Sequence, residues 1–587
     1  MSTSNLDIIV VCIYLFFLIV VGLIFSRFSK DSSDYFKAGA RGSWYLVGAS
    51  MFMSGISTYT FVGNASGIYK SGWSPLAIYG ANVAAMICGA LFMGAWYRQM
   101  RMMTFAEIVR ERFNVLTEQI VSVLLIVNNL LWAGAVLYGL SVFCTFLFPN
   151  IPSVFLIGGV GAVVVIYSSV GGNWAVMAND FVQGLVMVAI TILIAVLCLV
   201  DIGGVAAFFA GIKESSAAAD LQFLTPAKEG KNWIDADYGL SWAIVAFGVQ
   251  FIQVISIFNG VRFFSAKDGR EAAKASWLSA GLMSLGCILF FVPPIYARLV
   301  MGPEVMAMHE DPARAPEFSY AIASFKLLPN GGFSLLIVAM FAAAISSLDT
   351  ALNRNAAVIV RDIAPLVNRL RGRKQFDDRQ EVKAGRIVTV GLGFLVVGIA
   401  VLYANMKGQT LFDLFLDLSG SFMLPTLAPL ACILFFRKVP SWGALASIGG
   451  GLVPGIIDLF VETGWSYQVK SCYVILGGAS MYFLSMLFYK STDDVLKKKW
   501  NRFYQTMETP VNFQEEVGNA NDGDQLVQIG RFAVVLGALI SLLLILDNPL
   551  WGRICILGVT AFVGGIGGAM WFAGSRSPQC PAQESRA

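Results

Sequence analysis

The chain has 587 residues, 57% of them hydrophobic and only 13% charged, where a soluble domain carries about 45–50% apolar and about 25% charged residues; a string of soluble domains is excluded and a polytopic membrane protein implied. A single histidine, His309, and nine cysteines without a C-x-x-C pair exclude His-rich metal centres, zinc modules and a disulfide framework, and with them most enzymatic chemistry. A net charge of +4 is too small to suggest a nucleic-acid partner.

A bilayer span needs about 20 mostly apolar residues. The chain offers fifteen such stretches, at residues 8–25, 44–68, 74–95, 119–147, 153–170, 176–200, 239–261, 277–299, 332–360, 387–404, 410–436, 442–461, 468–489, 532–546 and 550–573. The first lacks both a basic lead and a small-residue cleavage site, so it reads as a retained helix rather than a signal peptide. Lysine and arginine test the count, because they collect in cytoplasmic loops. With the N-terminus outside and the C-terminus in the cytoplasm, 30 of them fall on the inner side and ten on the outer, with Arg354 left inside a span. The expectation is a multi-pass protein of the cell (plasma or inner) membrane. Its longest inner loop, Lys490 to Gly530, reads as a solvated connector.

Polar residues within spans are costly and therefore informative. In the second span, Met53-Ser-Gly-Ile-Ser-Thr58 predicts a broken helix whose freed carbonyls line a cavity or coordinate an ion; the same small residues also suit close helix packing. The stretch Tyr167 to Gln183, with Gly171 and Gly172 near its start, predicts a glycine turn and then a helix carrying Asp180, which serves either the helix dipole or a cation. Asn82, Gln250, Gln253, Asn259, Asp413 and Asp417 add polarity to their spans, or bond across helices. In the span from Gly332, helical spacing puts Ala343, Ser346 and Ser347 on one face and Ser346, Asp349 and Thr350 on an overlapping one. The serines can instead bond the carbonyl one turn back. Asp349 requires a cation, a bound ion or a proton, and Arg354, five residues on, is a poorly matched partner. Ligands that are all oxygen suit a hard cation such as sodium and disfavour a transition metal.

At these residues the chain resembles the sodium/solute symporter family, whose members include sodium-coupled sugar, proline and sialic-acid carriers. The likeness is carried by Asp34 to Gly39, the Gly48 to Tyr69 broken helix, Gly171 to Gly184 and Ala342 to Asp362, with Arg262 to Asp268 similar to a further family loop. It implies an all-α integral membrane fold with a LeuT-like core of two five-helix inverted repeats (43–438), one extra N-terminal helix and its loop (1–42), and about four additional helices at the C-terminus (439–587). Substrate and ion would meet at the repeat interface near the midplane, under alternating access. Carried over by motif, the family's sodium site falls on the carbonyls of Met53, Ile56 and Ala343 and the hydroxyls of Ser346 and Ser347. A second sodium, as in some relatives, would use Asp180, Ser346, Asp349 and Thr350, although an aspartate at 349 departs from the hydroxyl or small residue common there. The family's hexose-binding pair is not reproduced, Thr60 and the neutral Tyr79 to Asn82 standing in that region. Ser57, Thr60, Asn82, Gln250 and Gln253, with aromatic Tyr59, Phe61 and Trp132, instead suggest hydrogen bonding to a polyhydroxylated solute.

The function that follows is sodium-coupled import of a small organic solute, a sugar or sugar derivative. An amino-acid or carboxylate symporter, a proton-coupled carrier using Asp180 or Asp349, and a transport-poor sensor or channel of the same fold are the alternatives.

Overall fold

The computed structural model describes residues 40–226, 232–234, 236–461, 463–518 and 522–576, together with Ile13 and Phe16; the side chains at 147, 167–175, 378, 459 and 491 are outside this set. The span expected at 8–25 and the motif Asp34 to Gly39 lie outside the described residues. Among the described residues, eleven helices are long and apolar enough to cross a bilayer, and a bent pair makes a twelfth. The shorter apolar helix Gly443–Asp458, and the apolar opening segment Ser153–Ile166 of a longer helix, fall on two more of the expected spans.

In chain order the principal helices are α1 (Trp44–Gly55), α2 (Thr60–Ser71), α3 (Leu76–Gln99), α4 (Phe105–Arg112), α5 (Val115–Leu147), α6 (Ser153–Asp201), α7 (Leu240–Ser265), α8 (Gly269–Val300) and α9 (Gly332–Leu370). They continue as α10 (Asp378–Ala404), α11 (Leu411–Cys432), α12 (Gly443–Val461), α13 (Tyr467–Lys490), α14 (Asp494–Glu508), α15 (Asp522–Ile545) and α16 (Leu550–Arg576). Several begin earlier than their apolar stretches, because side-chain caps satisfy the free N–H groups of a polar first turn. Asn114 caps α5 through the amide of Thr117 at 2.7 Å, Asp268 caps α8 through those of Arg270 and Glu271, and Asp377 with Gln380 closes a capping box on α10.

Packing sorts the core into two groups. In one, α1 lies on α8, and α3 lies on both α7 and α8. Gly48 permits that approach, since a Cβ there would sit 2.6 Å from the carbonyl oxygen of Ala275. In the other, α10 crosses α5 and α6, and α9 packs on both of them. The groups meet where α1 crosses α6 and α9. Outside this core α12 pairs with α13 and α15 with α16, the latter pair resting on α6.

Two expectations are corrected. Helical hydrogen bonding is unbroken from Ser153 to Asp201, so the glycine turn expected near Gly171 is not formed; glycine weakens a helix by about 1 kcal/mol but does not forbid it. The loop from Lys490 to Gly530 is no solvated connector. Its α14 buries Trp500, Phe503, Tyr504 and Met507, a stripe at helical spacing that the neighbouring lysines disguise. Against it lies Arg112, fully buried, its guanidinium 4.6 Å from the Trp500 ring and 4.9 Å from that of Phe113. The same group donates to Tyr504 Oη at 2.8 Å and to the carbonyls of Arg437 and Val439. Beyond α14, Glu516 receives two bonds of 2.7 Å from Arg101 at the end of α3. Ser43, at the start of α1, donates to Asp522 and Gln525 of α15, each at 2.7 Å.

Candidate functional site

The break between α1 and α2 is made by local chemistry. Gly55 and the branched Ile56 end α1, Ile56 adopting extended backbone angles (φ −111°, ψ 126°), and the two halves diverge by 51°. Ser57 restarts the chain: its amide meets Thr60 Oγ1 at 3.3 Å and its carbonyl takes the Thr60 amide at 2.9 Å. Ser57 therefore caps α2 and does not line the cavity described below. Thr58 donates to the Val136 carbonyl of α5, fixing the break against the second group of helices.

Ser347 on α9 reaches the break, its hydroxyl lying 3.5 Å from the Ile56 carbonyl oxygen. Met53, Ile56, Ala343, Ser346 and Ser347 are all buried, and the Met53 carbonyl takes the Ile56 amide at 3.2 Å. The expected sodium ligands thus include one pair brought together across the two groups of helices. Behind them Asp180 of α6 accepts from Ser50 of α1 through Oδ2, and that oxygen lies 3.6 Å from Nη2 of Arg262, both side chains being buried. Ser346 faces the same carboxylate. Asp180 Oδ1 and Ser346 Oγ are buried and close no hydrogen bond within 3.5 Å, and both have lone pairs that a desolvated cation can use.

Thr350 and Asp349, the remaining members of the expected second sodium set, join this cluster through arginine. Arg262 donates to Thr350 Oγ1 and lies 3.4 Å from Ser54 Oγ, and the charges of both Asp180 and Asp349 act on it. Asp349 Oδ1 also takes the Asn353 amide at 2.7 Å. Arg354 is not the partner of Asp349; its guanidinium lies 4.4 Å from the centre of the Phe258 ring. Sequence reading left Arg262 as a loop cation at the end of its span, and nothing in its local pattern announces a partner 82 positions earlier on another helix.

Beside the break is a cavity of about 300 Å³, at the lower end of the usual range for small-molecule sites. Thr60, Asn82, Gln250 and Gln253 line it as expected, together with Asn64, Asn128, Asn129, Asn259 and Ser419. Gln250 donates to Asn82 Oδ1 at 2.8 Å and Gln253 to Ser419 Oγ at 2.6 Å. Three of the lining helices carry a π-helical turn there, at Thr60–Asn64, Gly89–Met93 and Ser419–Met423, a local bulge of the helix that recurs at functional sites. Tyr59, Trp132 and Phe415 meet at one end with ring centres 5.0–5.1 Å apart. Lys70 of α2 and Asp413 of α11 pair at 2.8 Å, about a third exposed, on the same two helices as Tyr59's neighbours and Phe415. Phe61 points away from the cavity, among Phe290 and Tyr320. Asn128 and Asn129 were missed in the sequence, although an asparagine doublet within an apolar span was the available signal.

Comparison with known proteins adds three findings. The model of the sodium:solute symporter family matches residues 35–451. The chain is 26% identical over 453 residues to the sodium/sialic acid symporter NanT of Aliivibrio fischeri, covering 76% of this chain and 86% of that one, and 28% identical over 505 residues to a sodium/glucose cotransporter of Vibrio parahaemolyticus, covering 81% and 88%. Among solved structures it is similar to an outward-open, substrate-bound Na+-coupled sialic acid symporter (TM-score 0.68, 21% identity, 84% of this chain and 99% of that one) and to the closed form of Mhp1, a nucleobase-cation-symport-1 transporter (TM-score 0.51, 15% identity, 81% and 99%).

Proposed function

The chain belongs to the sodium:solute symporter family, and from that membership we propose how its own residues couple sodium to a sugar-like cargo. It is a multi-pass membrane protein with the LeuT-type fold that the resemblance implied, and it carries out sodium-coupled symport of a small organic solute. One sodium ion sits at the break, held by the carbonyls of Met53, Ile56 and Ala343 and by Ser346 and Ser347. A second lies between Asp180 Oδ1 and Ser346 Oγ, with Thr350 and Asp349 shaping its surroundings through Arg262. The solute, a sugar or sugar derivative, occupies the adjoining cavity against Thr60, Asn82, Gln250 and Gln253.

The observation that carries this reading is the contact of Ser347 with the Ile56 carbonyl, because it links an unwound segment of one helical group to a hydroxyl of the other. A cation bound there stabilises one arrangement of the two groups over the other, and the cavity shares that same boundary. By linkage, sodium raises affinity for the solute as much as the solute raises affinity for sodium. At 100 mV each charge supplies about 2.3 kcal/mol, roughly a 50-fold accumulation before any concentration gradient is counted. The excess of lysine and arginine in alternate loops supports an outside N-terminus and a cytoplasmic C-terminus, and the family match over residues 35–451 supports a transport core at 43–438.

The test is solute accumulation in proteoliposomes with an inside-negative potential, in external sodium or choline at one pH. Accumulation should require sodium and should fail in the Ser346→Ala/Ser347→Ala variant while the protein still assembles. Equal accumulation in choline overturns the assignment.

A further inference from the structure

Among the described residues, the charged side chains on the cavity wall are Arg262 and Arg354, and no carboxylate lines it. The two arginines differ in what balances them. Arg262 has Asp180 behind it at 3.6 Å and the charge of Asp349 close by. Arg354 meets no carboxylate among the described residues: its face covers Phe258, its Nε is buried without a partner, and the charge that acts on it is the like-signed Arg262. A cation left uncompensated inside a span is expensive, so its presence at a binding cavity calls for an anion that comes and goes.

A second observation points to the same place. Asn128 is 4% exposed, lines the cavity, and has neither its Nδ2 nor its Oδ1 hydrogen-bonded. Its neighbour Asn129 ties α5 to α9 by bonding the Ala351 carbonyl and Asn355 Oδ1, both at 3.0 Å. Asn128 and Arg354 are each adjacent in sequence to one of the tied residues, on the two helices so joined, and both line the cavity. The neutral groups Thr60, Asn82 and Gln250 belong to other helices of the cavity. The lining thus holds groups that can receive an anion and, on other helices, groups that can receive hydroxyls.

Resting on the assignment of this cavity to the cargo, we propose that the solute is a polyhydroxylated carboxylate, its anionic group held by the guanidinium of Arg354 with Asn128 as a second donor. Guanidinium presents two N–H groups to one carboxylate, and the buried, unpaired polar atoms penalise a neutral sugar that leaves them unmet.

The experiment compares neutral sugars with related acids that carry a carboxylate, glucose with gluconate and glucuronate, galactose with galacturonate, and N-acetylmannosamine with N-acetylneuraminate, which adds a three-carbon carboxylate unit to it, by thermal shift of the purified full chain in sodium and in potassium. At least one acid should stabilise the protein in sodium at a concentration tenfold or more below its neutral partner. Arg354→Gln should abolish that preference and Arg354→Lys should retain part of it. Asn128→Asp, which adds a negative charge to the cavity wall, should suppress acid binding without loss of folded protein. Neutral members binding as tightly as their acids, an acid preference that survives Arg354→Gln, or no response to any acid overturns the proposal. A midpoint raised by sodium alone, and lost in Ser346→Ala/Ser347→Ala, would leave the coupling assignment standing in each of those cases; its absence would remove that assignment as well.

Discussion

Neutralising Asp180 separates the two tasks this carboxylate performs. At 3.6 Å from Arg262, with both side chains buried, the attraction is about 5 kcal/mol at an effective dielectric near 20, and removing one partner of such a pair costs about 3–5 kcal/mol because the other is left buried with its charge. Asp180→Asn should therefore lower unfolding stability in detergent by about that amount, moderated by the bond Arg262 keeps to Thr350. Replacing both partners, Asp180→Asn with Arg262→Gln, removes the stranded cation but takes its charge away from Asp349 as well, so stability should recover only in part. Sodium affinity, read from the sodium dependence of solute uptake, should be weakened in both variants, since both lack the carboxylate oxygen that faces Ser346. A single variant within about 0.5 kcal/mol of the parent would refute the buried pair. A double variant with the parent's sodium dependence would refute the second cation position.

Three further outcomes are expected. Ser347→Ala alone should raise the sodium concentration for half-maximal uptake about tenfold, the loss of one ligand worth about 1.4 kcal/mol, with uptake at saturating sodium largely kept. Lys70→Met should shift the population of open states by no more than about fivefold, since a partly exposed pair contributes about 1 kcal/mol or less; reactivity of a cysteine placed at Asn64 in the cavity wall reads that shift. Glu516 is held below its ordinary value of 4.5 by hydrogen bonding from Arg101, so its contribution to docking is complete above that value and is lost as pH falls through the lower, folded-state one. Amide protection at residues 513–517, corrected for intrinsic exchange, should accordingly hold to about pH 5 and decline only in stronger acid.

What the sequence disclosed was local. Ser54, Gly55 and Thr58 announce a break because small and hydroxyl residues cannot sustain an apolar helix without help, and the spacing of Ser346 and Ser347 assigns them a common face on any helix. What it concealed depends on distant parts of the chain meeting. Asp180 and Arg262 are each ambiguous alone, and only the meeting of the two helical groups at α1 makes them partners. Ser57 looked like a wall residue because its type suits one, yet its backbone is spent on capping α2. In α14 the run Lys497-Lys-Lys499 gives the impression of a solvated segment, although Trp500, Phe503, Tyr504 and Met507 are spaced as one side of a helix with somewhere to dock.

That docked helix also joins parts of the core that belong to different groups. α14 lies on Arg112 of α4, while the carbonyls of Thr506, Thr509 and Pro510 sit against the guanidinium of Arg101 just past α3, and Glu516 closes two more bonds on the same group. A relative displacement of α3 and α4 must therefore either carry α14 along or break that fan of bonds, which makes one arginine the pivot about which the whole segment has to turn.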